Sequence, residues 1–160
     1  MRKSLFVGLV AFTLLAGASQ VSAQSATGSD YRNAVGLGIE FGDGATFVGP
    51  TFKHFFTENH VGNAELLFGD DIVAIQAYYQ YHKEIDGAAG LRWFAGGGPG
   101  FWIMDENSAF ILRPMGGLDY KITGAPLSFS FDWRPTFIIA DGDSDFEAAR
   151  FGLGFRFTFN

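Results

Sequence analysis

The 160-residue chain contains no cysteine, which excludes a disulfide framework, a thiol nucleophile and a lipid-anchored N-terminal Cys. Charged residues are scarce at 18%, and no run of 18 apolar residues exists to form a transmembrane helix. Basic residues are the minority, 11 against 17 acids, and the net charge of −6 argues against nucleic acid as a partner. Convincing helical periodicity is missing after the N-terminal segment. What the chain has instead is 19 Phe and 22 Gly in a composition that is 48% hydrophobic. That mixture favours β structure over helix, supplies ample apolar surface to fold, and at this length suggests one domain.

The start of the chain has the three parts of a secretory signal peptide. Arg2 and Lys3 precede an apolar stretch from Leu5 to Ala18, and Val21-Ser22-Ala23 is a small-x-small cleavage signature. The apolar stretch is too short to span a bilayer as a retained anchor. The expected division is therefore a signal peptide over 1–23, a polar flexible lead-in over 24–32, and one β domain over 33–160. Removing Arg2 and Lys3 with the signal takes the formal charge from −6 to −8.

From Asn33 onward the hydrophobic pattern has a period of two. Phe151, Leu153, Phe155, Phe157 and Phe159 alternate with Gly152, Gly154, Arg156 and Thr158. Leu127, Phe129, Phe131 and Trp133 alternate with Ser128, Ser130, Asp132 and Arg134. Val73, Ile75, Ala77, Tyr79 and Tyr81 alternate with Gln76, Tyr78, Gln80 and His82, and Val35, Leu37, Ile39 and Phe41 with Gly36, Gly38 and Glu40. Less regular segments over 45–56, 61–68, 90–103 and 109–120 complete eight strands.

In a soluble β domain the apolar face turns inward and the other face meets water with Lys, Glu and Thr. Here the second face is Gly, Ser, Thr and Gln with single charges, which suits a crowded polar lumen. Apolar outside and polar inside is the pattern a bilayer imposes on a barrel. Trp93, Trp102, Trp133, Tyr31, Tyr79, Tyr81 and Tyr120 are expected to form interfacial girdles.

With these features the chain resembles the small outer-membrane β-barrel proteins of Gram-negative bacteria, the OmpA-membrane-domain and OmpX-like group. The carriers are the signal peptide, the eight alternating segments, the stretch 120–127 running into Phe131-Asp132-Trp133-Arg134-Pro135, the unit 52–64 and the aromatic last strand. The resemblance implies an all-β, eight-stranded antiparallel up-and-down transmembrane barrel in the cell outer membrane, with both termini in the periplasm. It also implies outer-membrane lipid, lipopolysaccharide and the assembly machinery as partners. Family members commonly end in an aromatic residue, whereas this sequence ends Phe159-Asn160.

Alternation places Glu40, Glu65, Asp119 and Asp132 in the lumen with Arg92, Arg113, Arg134, Arg150 and Arg156. Eight strands leave an interior just wide enough for side chains, so these charges are expected to pair into a structural plug and not to line an ion path. Four connections, 42–44, 69–72, 104–108 and 140–146, are expected at the outer rim. They carry Asp43, Asp70, Asp71, Asp105, Glu106, Asp141, Asp143 and Asp145 and no Lys or Arg, a surface for weak binding of divalent cations. Asp141-x-Asp143-x-Asp145 starts like a calcium loop, but Phe146 and Gly152 stand where its glycine and bidentate Glu belong.

His54, His60 and His82 have no metal-ligand spacing, and no GxSxG elbow or other catalytic motif is present. The sequence is therefore read as a non-catalytic outer-membrane barrel with a structural, membrane-integrity role and no cofactor or metal. Two alternatives stand beside it: a soluble periplasmic or secreted barrel binding a small apolar ligand, and a lipid-modifying barrel enzyme.

Overall fold

The computed structural model describes residues 31–160, so the signal-peptide reading over 1–23 and the lead-in up to residue 30 lie outside the described residues. The strands are β1 (Asn33–Gly42), β2 (Ala45–Phe55), β3 (His60–Phe68), β4 (Val73–Glu84), β5 (Leu91–Ile103), β6 (Ser108–Lys121), β7 (Leu127–Trp133), β8 (Thr136–Ala140), β9 (Asp143–Glu147) and β10 (Arg150–Phe159). Neighbours pair antiparallel in the ring β1-β2-β3-β4-β5-β6-β7-β10, and β10 closes on β1. The result is a closed eight-stranded barrel with no helix among the described residues. Tyr31 and Asn160 lie at one mouth, the terminal end, with the turns 56–59, 85–90 and 122–126. The far end carries the turns 43–44, 69–72, 104–107 and 141–142.

Closure requires stagger. Directly opposed partners run from Phe41 through Phe151, Trp133, Gly116, Ala95, Tyr81 and His60, then by way of Phe56 back to Tyr31, two residues before β1. The return point lies ten residues below the start. That offset inclines the strands by roughly 40° to the barrel axis.

Two far-end turns are Asp-Gly pairs with both residues at positive φ: Asp43 (44°) with Gly44 (80°), and Asp141 (49°) with Gly142 (82°). This is the tight hairpin geometry whose twist matches the flanking strands, and Asp and Gly tolerate it best. The second pair corrects the expectation of an open connection over 140–146. Asp141-Gly142 folds it into the β8–β9 hairpin, which continues the barrel wall past the other strands.

The walls β7/β8 and β10/β9 each break once, and the cause is Pro135. It has no N–H for the ladder, and the opposite wall carries two residues there, Ala148 and Ala149. This bulge frees backbone groups that side chains take up. The Trp133 indole donates to the Ala148 carbonyl (2.7 Å), and the Asp43 carboxylate accepts from the Ala149 N–H (3.2 Å). The bulge also reverses parity, so Asp143, Asp145 and Glu147 lie on the lumen-side face of the hairpin while Phe146 faces outward.

Large apolar side chains on the outward faces stay exposed, among them Leu37, Phe52, Ile75, Leu112, Phe131 and Phe155. Trp93, Trp133, Tyr79, Tyr81 and Tyr120 join them on the outside, but Trp102 (6% exposed) and Tyr31 (8%) do not. Trp102 shares the parity of Arg92 and Phe94 on β5 and stacks on Phe47 inside the barrel, 5.7 Å between centroids. Tyr31, expected in the lead-in and among the girdle aromatics, turns into the terminal mouth against Phe55 (5.0 Å, edge-on).

Candidate functional site: the charged lumen

All nine charges assigned to the lumen by alternation, Glu40, Glu65, Arg92, Arg113, Asp119, Asp132, Arg134, Arg150 and Arg156, are buried there. Eight of them fall into two clusters, and Arg92 stands apart at the terminal mouth.

The larger cluster is built around Glu40, which has no exposed surface. Arg113 grips it with a fork, Nη1 to Oε2 at 2.6 Å and Nη2 to Oε1 at 2.7 Å. Arg150 donates to Oε1 from Nε (3.1 Å) and again from Nη2. Gln76 then links Glu40 to Glu65, donating at 3.0 and 3.2 Å and accepting from Arg113 at 2.8 Å. Arg134 reaches Glu65 at 2.7 Å and forks onto Asp132, two residues away on the same face, at 2.6 and 2.8 Å. Arg156 donates to Thr51 (2.8 Å) and Ser130 (2.7 Å). A buried ion survives in such a place only if it is both paired and hydrogen-bonded, and bidentate guanidinium forks do both.

The packing leaves these guanidinium groups little freedom. A Cβ added at Gly152 would collide with the Arg134 guanidinium, and one at Gly154 with that of Arg156. Gly152→Ala should therefore cost about 1–3 kcal/mol by displacing Arg134 from two carboxylates. Urea unfolding of the purified protein measures this, and an unchanged midpoint would show that Arg134 is not held.

The smaller cluster lies toward the terminal end. Lys53, 1% exposed, pairs with Asp119, and the Tyr31 hydroxyl lies 3.5 Å from the same carboxylate. Burial and the adjacent Asp119 carboxylate push the Tyr31 phenol up, so it remains a donor. His82 shares a hydrogen bond with Gln80 (3.0 Å), stacks on Phe94 (4.8 Å) and stands 4.0 Å from Asp119. Arg92 faces Asp119 in register but turns to the mouth, pairing with Glu84 (2.9 Å) and donating to the Glu58 carbonyl (3.2 Å).

The sequence reading missed Lys53 as a lumen charge. Its parity with Thr51 was visible, but Phe47 and Phe55 share that parity and mask the polar face of β2. They do so because the lumen is capped. At the far end Phe47, Leu67, Ala74, Trp102, Ala109 and Ile111 form an apolar layer, backed by Met104 and Ile138. The Arg150 and Arg113 guanidinium groups lie against it, 5.1 Å from the Phe47 ring and 5.5 Å from the Trp102 ring. Tyr31, Ala34, Phe55 and Val61 close the terminal end.

The eight rim acids, Asp43, Asp70, Asp71, Asp105, Glu106, Asp141, Asp143 and Asp145, are all exposed at the far end. They do not converge: among the described residues no three His, Asp or Glu side chains are placed to hold a metal ion. Among the lumen hydroxyls, Ser130 accepts a hydrogen bond from Arg156. A cleft of about 370 Å³ opens at the terminal mouth beside Tyr31, Phe55, Glu58 and Arg92. The arrangement can hold charge rigidly between two apolar layers. No protein-family model matches the chain, and neither does any curated protein or solved structure.

Proposed function

We propose that the chain is an integral outer-membrane β-barrel, exported by its signal peptide, that reinforces the membrane and does not catalyse or conduct. One observation carries the reading: the outward-facing strand positions hold no Asp, Glu or Arg and a single Lys, at position 83. Every other strand charge points into the lumen or toward a mouth. A soluble barrel binding an apolar ligand has the opposite distribution, because water outside and ligand inside demand it.

The dimensions agree. Ten residues rising about 3.3 Å each, inclined by roughly 40°, reach about 25 Å, the height of an outer-membrane apolar band. The paired lumen charges supply rigidity at the bilayer core. Outer-membrane lipid and lipopolysaccharide are then the partners of the wall, and the acidic rim meets divalent cations weakly as a solvated surface.

Planar-bilayer recordings of the purified protein should show no stable porin-like conductance at neutral pH, because two apolar layers and paired charges leave no water column. A reproducible open channel would move the function to transport. A deletion strain should become sensitive to detergent while its lipid profile stays unchanged. A missing or altered lipid species in that strain would instead indicate a lipid-modifying enzyme.

A further inference from the structure

We propose that the outer wall at the terminal end carries a binding site for the headgroup of an anionic phospholipid, formed by His60, Tyr81, Lys83 and Trp93. The proposal rests on the membrane reading above and names the lipid contact that reading leaves open.

Lys83 is the one charged residue on the outward strand faces, and it stands one residue before the end of β4. A lysine facing hydrocarbon is costly, but at the boundary its stem lies along the apolar wall and its ammonium reaches the phosphate layer. Register surrounds it with aromatic donors. Lys83 is directly opposite Trp93 on β5, and Tyr81, next on the same face, is opposite His60 on β3. The Tyr81 ring is 6.0 Å from Trp93 and 5.5 Å, edge-on, from His60.

The proton on His60 is also assigned by its neighbour. His60 Nδ1 is hydrogen-bonded to the Tyr79 hydroxyl. A phenol is the stronger donor and an imidazole nitrogen the stronger acceptor, so Tyr79 donates and the ring proton sits on Nε2. His60 Nε2–H, the Tyr81 hydroxyl, the Lys83 ammonium and the Trp93 indole N–H then have no hydrogen-bond partner among the described residues. The neighbouring carboxylate, Glu84, points to the other face and pairs with Arg92. Of the carboxylates in the adjoining turns, Glu58 lines the cleft at the terminal mouth and Asp86 stands three residues beyond Lys83 in the turn 85–90, so the outward strand face itself offers four donors around one positive charge and no carboxylate. A phosphodiester, with several acceptor oxygens and one negative charge, matches it. At the far end the same wall presents Phe101, Ile103, Phe110 and Ile139 beneath an acidic rim, so the site belongs to one leaflet only.

Native mass spectrometry of the full chain released from detergent tests this, with phosphatidylglycerol, phosphatidylcholine and inorganic phosphate as probes. The wild type should retain one phosphatidylglycerol in preference to phosphatidylcholine, and the H60Q/K83Q variant should lose that retention by about tenfold. Phe110→Leu, at the far end, should leave it unchanged. Equal retention by wild type and H60Q/K83Q, or no preference between the two lipids, would overturn the site. Displacement of the lipid by millimolar inorganic phosphate would also overturn it, by showing a site for free phosphate. Both substituted side chains are exposed, and the urea midpoint of the variant checks its fold. Wild type that stays in the membrane fraction without selective retention refutes the site alone; wild type that leaves that fraction refutes the membrane reading.

Discussion

Glu40→Ala should destabilise the barrel by about 3–5 kcal/mol, the cost of leaving buried charge without its partner. Glu40 is the shared acceptor of Arg113, Arg150 and Gln76, so its loss leaves the Arg113 guanidinium without a carboxylate and Arg150 with only Glu147 (3.6 Å) and the Gly42 carbonyl (2.7 Å). Neither can move to water, because the Phe47–Trp102 layer closes the far mouth above them. Glu40→Gln, which keeps the shape and removes the charge, should fall between wild type and alanine. The urea midpoint in micelles reports the order, and a Glu40→Ala protein as stable as wild type would show that the network is not what holds the lumen. The same variant should still not conduct, since the apolar layers remain.

On the proposed membrane reading, Phe155→Arg should cost about 2–4 kcal/mol and impair assembly, as a charge on a lipid-facing wall near the midplane does. Phe155 lies midway along β10, 44% exposed, with its ring edge-on to Phe129 at 5.2 Å. Phe155→Leu, which keeps the face apolar, should assemble normally. In a soluble barrel the arginine would simply be hydrated, so a Phe155→Arg protein that assembles and resists urea like wild type contradicts the lipid-facing wall.

Much of this architecture was legible because a two-residue period needs no tertiary information. The alternation in β1, β4, β7 and β10 separates wall from lumen, and it places Glu40, Asp132, Arg134, Arg150 and Arg156 on one side with the outward Phe residues on the other. Parity does not say how far along the barrel a residue lies or what covers the ends. Trp102 and Tyr31 were therefore assigned to girdles although they form parts of the two apolar layers. The masking of Lys53 has the same origin. Arg92 was legible as inward-facing, but its choice of Glu84 over Asp119 depends on Lys53 already occupying that carboxylate. The β8–β9 hairpin was hidden differently. Asp141-Gly142 is a turn signal as strong as Asp43-Gly44, yet the acids of β9 and the parity change at Ala148-Ala149 make the segment look like a solvated loop.

On the proposed reading the apolar wall faces lipid. Fractionation of the native protein tests it most directly: membranes washed with alkaline carbonate, sedimented, and then extracted with detergent. The protein should stay in the sedimented membranes through the wash and enter solution only with detergent. Recovery in the aqueous supernatant without detergent would contradict it.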